Sequence, residues 1–98
     1  MSQNSEGNAQ EESTAGTDGK NDIIVRIHPG KKGSGLVFEI YGKGESLFRE
    51  EMETSARKIL EELGVTDAVV EMMDNWALDF TVRARVRAAA LKYLGRES

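Results

Sequence analysis

This chain of 98 residues predicts an α+β fold, a four-stranded antiparallel sheet with helices over one face. Three patterns carry that reading. Every second position is apolar through Ile23–His28 and again through Leu36–Tyr41, the period of half-buried strands. Phe48, Met52, Ala56, Ile59, Leu60 and Leu63 recur at helical spacing. After Asp67 the alternation returns, first through Ala68–Met73 and then through Leu78–Val86. The resulting order is ββαββα, two hairpins each followed by a helix.

The first strand sets Ile23, Val25 and Ile27 against Ile24, Arg26 and His28. Pro29-Gly30-Lys31-Lys32-Gly33-Ser34-Gly35 reads as a turn, because Pro fixes its own φ and Gly supplies positive φ. The second strand presents Leu36, Phe38 and Ile40 on one face, and the short link predicts an antiparallel hairpin. Ser46 is the expected N-cap of the long helix, and Gly64 stands where a C′ glycine stops it. The third strand places Ala68, Val70 and Met72 together.

Residues 77–86 admit two readings. As a fourth strand they put Leu78, Phe80, Val82, Ala84 and Val86 on one face, and a short helix then runs from about Arg85 to Leu94. As one helix over residues 77–94, capped by Asp74 or Asn75, they make a stripe of Leu78, Val82, Val86 and Leu94. Five successive alternate apolar positions favour the strand.

Residues 1–21 carry no apolar side chain larger than Ala after Met1, which predicts a disordered tail ahead of a single domain over residues 22–95. No apolar run approaches the about 18 residues of a membrane span, and none has the form of a signal peptide. With no Cys and only His28, thiolate chemistry, disulfides and His-pair metal sites are excluded, which fits a cytoplasmic setting. The net charge of −4 argues against nonspecific nucleic-acid binding. No convergent set of catalytic groups is visible, so the chain does not read as an enzyme.

Two motifs carry a family resemblance. Ala77-Leu78-Asp79 precedes Arg83-Ala84-Arg85-Val86 and Ala88-Ala89-Ala90-Leu91, while upstream Ala15-Gly16-Thr17 leads into Asp22-Ile23-Ile24-Val25-Arg26-Ile27. In this order and spacing the chain resembles the acyl carrier protein, or gamma subunit, of citrate lyase, a relative of the malonate decarboxylase carrier subunit. The resemblance implies a non-catalytic subunit presenting an acetyl or citryl thioester to an acyl-transferase alpha subunit and a lyase beta subunit. It also implies a phosphoribosyl-dephospho-coenzyme A arm on a Ser two residues before the Asp that opens the first strand. That position is Lys20 in this chain, and Thr17 is the nearest alternative hydroxyl, with Ser13 behind it.

A phosphodiester requires a hydroxyl, which an ammonium cannot replace. Three readings follow: the arm sits on a shifted hydroxyl, Lys20 is itself acylated, or the chain is an unmodified interaction domain with the carrier fold. At the second turn the family's Asp-Lys-Gly is replaced by Asp74-Asn75-Trp76, and Asn75 is expected to adopt the positive φ. Trp76 there is either a docking anchor or a lid over the core. Arg83 and Arg85 would form a small basic face for a diphosphate, or be paired with Glu39, Glu71 or Asp79.

Overall fold

The computed structural model describes residues 12–96. Four strands, β1 (Ser13–Gly16), β2 (Asp22–Pro29), β3 (Leu36–Gly42) and β4 (Ala68–Asn75), join two helices, α1 (Glu45–Leu63) and α2 (Asp79–Tyr93). The sheet order is β1-β2-β4-β3. It is mixed: β1/β2 and β2/β4 are antiparallel, while β3/β4 are parallel.

The expected hairpin between the second and third of these strands does not form, because β4 lies between them. Its physical cause is the glycine-rich link. Asp67, just ahead of β4, accepts the Gly33 and Gly35 amides at 2.9 and 2.8 Å. The Gly30 amide donates to Asp67 O at 3.0 Å, and Ala68 N donates to Gly35 O at 3.2 Å. The link therefore wraps the start of β4 and spans two strand spacings, roughly 10 Å, rather than one. The Gly33 and Gly35 amides hold the Asp67 carboxyl below its ordinary range.

The reading of residues 77–86 as a fourth strand is also corrected. Both flanks of β4 are already hydrogen-bonded, by β2 and β3, so no edge beside it is open to a following hairpin partner. Residues 79–86 are instead the first half of α2, with Leu78 rather than Asp74 or Asn75 at the N-cap, and the helix buries Val82, Val86, Ala89, Ala90 and Tyr93. An Arg83–Asp79 ion pair at 3.0 Å supports its first turns. The remaining strand comes from the stretch expected as a tail: Ser13–Gly16 is β1, while residues 1–11 lie outside the described residues.

Alternation in each strand sends Ile23, Val25, Ile27, Phe38, Ile40, Val70 and Met72 to one face, where all are buried. Both helices cover that face, α1 over β3 and α2 over β1 and β2, and they pack on each other. From α1 the core takes Met52, Ala56, Ile59 and Leu60. The helix begins at Glu45, ahead of the expected cap at Ser46, and ends at Gly64 as expected, with φ 89°. The opposite sheet face is open and carries Arg26 and His28 on β2, both bonded to Glu71 on β4. No described helix is long and apolar enough to cross a membrane.

Candidate functional site

The Ala15-Gly16-Thr17 motif builds a tight connection between β1 and β2. Ala15 is buried in the core, and Gly16 adopts φ 100° where the chain passes Ile23. A Cβ on Gly16 would collide with the Ile23 carbonyl, so only glycine fits. Thr17 follows as the brace of the turn: its hydroxyl donates to Asp22 Oδ2 at 2.7 Å and accepts from Gly19 N at 3.2 Å. Asn21 closes the turn at φ 62°, a conformation that Asn tolerates better than most residues.

Asp22 is the centre of this arrangement. Its carboxylate receives Arg85 in a forked pair, Nε to Oδ1 at 3.0 Å and an NH2 donor to Oδ2 at 2.9 Å. With the Thr17 hydroxyl already on Oδ2, the Ile23 amide adds a fourth hydrogen bond, to Oδ1 at 2.7 Å. The Arg85 bonds, with those of Thr17 and Ile23, outweigh partial burial and hold the Asp22 carboxyl far below the ordinary carboxylate range. Asp22 in turn raises the already high pKa of Arg85. Arg85 thus staples α2 to the root of the turn.

Lys20 stands at the tip, exposed, and its ammonium has no hydrogen bond or ion pair among the described residues. Thr17 is exposed too, but its hydroxyl is engaged at both ends. Ser13 is buried in β1, donating to Ala89 O at 2.7 Å. Of the three positions, only Lys20 offers an unengaged group to solvent.

Two side-chain bonds tie this turn to the one after β4. Asn21 Nδ2 donates to Trp76 O at 3.1 Å, and Asn75 Nδ2 donates to Asp18 O at 3.1 Å. The positive φ expected at Asn75 falls on Trp76 instead, at 63°. A bulky residue resists that conformation, and here Asp74 enforces it. The buried Asp74 carboxylate accepts the Trp76 amide at 3.1 Å and the Ala77 amide at 2.9 Å. Trp76 is 43% exposed, so it is not a closed lid over the core. It meets the Phe48 ring edge-on at 6.5 Å between centroids. The two rings, with Met52, Leu78 and Val82, wall a cleft of about 550 Å³.

The expected basic face of Arg83 and Arg85 is divided by the helix. Arg83 pairs with Asp79, and Arg85 turns to Asp22. Sequence reasoning missed the Asp22–Arg85 pair and the two Asn bridges. The pair spans 63 residues, and strand alternation had aimed Arg85 at solvent. Thr17 and Asp22 on either side of Asp18-Gly19-Lys20-Asn21 were the local signal of a braced turn.

A model of the malonate decarboxylase delta subunit (MdcD) family matches residues 10–93. The chain is 32% identical over 84 residues to the citrate lyase acyl carrier protein of Latilactobacillus sakei, covering 86% of this chain and 81% of that protein. It is 38% identical over 78 residues to the citrate lyase acyl carrier protein of Haemophilus influenzae, covering 80% and 79%. With citrate lyase acyl carrier protein 2 of Salmonella typhimurium it shares 37% over 78 residues, again 80% and 79%.

Proposed function

Because the chain belongs to the malonate decarboxylase delta subunit family, we propose that it is a non-catalytic acyl carrier subunit of a citrate lyase-like complex. In this reading the domain of residues 22–95, with β1 joined to it, presents an acetyl or citryl group from the Thr17–Asn21 turn. The recipients are an acyl-transferase alpha subunit and a lyase beta subunit in the cytoplasm. The observation that carries the reading is the turn itself: an exposed tip at Lys20, the position where the resemblance implies attachment, on a base clamped by Thr17, Asp22 and Arg85. A rigid base with an exposed tip raises the local concentration of a tethered group at neighbouring active sites.

The residues do not fit the phosphoribosyl-dephospho-coenzyme A arm in its phosphodiester form. Lys20 has no hydroxyl, Thr17 Oγ1 holds Asp22, and Ser13 is enclosed. An arm on this chain is therefore read as an amide on Lys20. Such a bond forms when the neutral amine attacks an activated carboxyl, an acyl adenylate for example, expelling the nucleotide and releasing one proton.

A second reading rests on the same lysine: an interaction domain that keeps the carrier fold without an arm. Intact mass and peptide mapping of protein purified from its own host separate the two. The carrier reading expects an adduct on Lys20 that disappears in Lys20→Ala with thermal stability unchanged. An adduct persisting in that variant moves the attachment to a hydroxyl such as Thr17. Native protein of unmodified mass supports the interaction domain and overturns the carrier.

A further inference from the structure

A groove follows the seam between α1 and α2. At the β4 end it is the aromatic cleft of Phe48 and Trp76, and beyond lies a second cleft of about 520 Å³. Between them Ser55 Oγ, from the second cleft's lining, donates across the seam to Asp79 Oδ1, from the first's, at 3.0 Å. Phe48 and Glu62 of α1 mark its two ends, about 20 Å apart at the rise of an α-helix.

Three features set this groove apart from an ordinary wet surface. Leu78 and Phe80 are 59% and 65% exposed, although α2 already buries a full stripe of core residues. Large apolar groups gathered in one exposed strip mark an interaction surface. Second, Lys58 from α1 and Arg87 from α2 face the far cleft without a hydrogen bond or ion pair among the described residues. Arg83 also lines that cleft but is paired with Asp79, and Glu62 is the one carboxylate among the described residues of the lining, against an overall charge of −4. Third, Trp76 is held half-exposed in a strained backbone conformation by Asp74 and Asn21.

We infer that the α1/α2 groove docks an acidic amphipathic helix of a partner subunit, an inference that rests on the carrier reading above. A third helix fits between two others by laying its side-chain ridge in their groove. Its apolar residues meet Phe48, Trp76, Leu78 and Phe80. Its carboxylates meet Lys58 and Arg87, since Glu51 repels them from the aromatic end and so sets the helix's direction.

The test measures binding of the full chain to purified alpha and beta subunits from the same host, by interferometry at low and at physiological salt. Wild type is expected to bind one of them, more weakly as salt rises. Phe80→Ser, and separately Lys58→Glu with Arg87→Glu, should each weaken binding at least tenfold with circular dichroism unchanged. Glu39→Lys on the open sheet face should leave it unchanged. Groove variants that bind like wild type, or a loss caused by Glu39→Lys, would overturn the inference while leaving the carrier reading standing. A wild-type dimer by light scattering that Phe80→Ser dissolves would assign the groove to a second copy, against the proposal. Failure of wild type to bind either subunit would overturn the carrier reading and this partner with it.

Discussion

The Asp22–Arg85 clamp can be measured as a coupling energy. Asp22→Asn removes the charge while keeping shape, and Arg85→Met keeps much of the apolar stem. The pair makes two charge-assisted bonds, at 3.0 and 2.9 Å, each of a kind that contributes about 1.5–3 kcal/mol. The carboxylate is only 13% exposed, but the guanidinium is 39% exposed, so solvent screens part of this. A double-mutant cycle in urea should then return a coupling of about 2 kcal/mol at pH 7. For a domain this small, each single variant should melt roughly 10 °C lower. The folded-state carboxyl lies below its ordinary value of 3.8, chiefly through the Arg85 bonds. Its contribution is therefore complete above about pH 5 and is lost as pH falls below 3.8 toward the folded value. The stability gap between wild type and Asp22→Asn should be flat from pH 5 to 8 and shrink in more acid solution. A coupling under about 0.5 kcal/mol, or a gap that persists undiminished at pH 2, would refute the clamp.

Other substitutions test the fold and the turn. Val82→Asp should unfold the domain, since Val82 is 1% exposed, with a loss above about 4 kcal/mol by chemical denaturation. Phe80→Ser, two residues earlier, should change stability by no more than about 0.5 kcal/mol; a strand would bury both side chains alike. Gly16→Ala should cost roughly 2 kcal/mol or more, because the new methyl meets the Ile23 carbonyl at a positive φ. Lys20→Ala should leave the melting temperature within about 2 °C of wild type, the side chain being exposed and unengaged.

What the sequence disclosed, and what it hid, divides along physical lines. Strand alternation in Ile23–His28, Leu36–Tyr41 and Ala68–Met73 was plain, since each run has one buried face. So was α1, with its stripe and terminal glycine. Strand order was not, because an alternating pattern names a face but no neighbour, and the glycine-rich link fits one strand spacing as well as two. Residues 78–86 misled for a different reason. Val82 and Val86 serve the core, whereas Leu78, Phe80 and Ala84 line or flank the exposed groove, so two separate stripes added up to the rhythm of a strand. β1 escaped notice because its buried face is Ser13 and Ala15, too small to register as apolar. The position of Lys20 came from family motifs, but the bracing around it depends on Arg85, 63 residues from Asp22.

The central seat of β4 governs how the chain can be assembled. In the folded sheet only β4 joins β3 to β2, so during synthesis a continuous sheet waits for Asn75 to leave the ribosome. The same wedge dictates the behaviour of halves cut within α1. The C-terminal piece cannot simply append to an outer edge; it must thread its strand between two others and hydrogen-bond on both sides. Complementation by such halves should be slow, and the joined pair hard to separate.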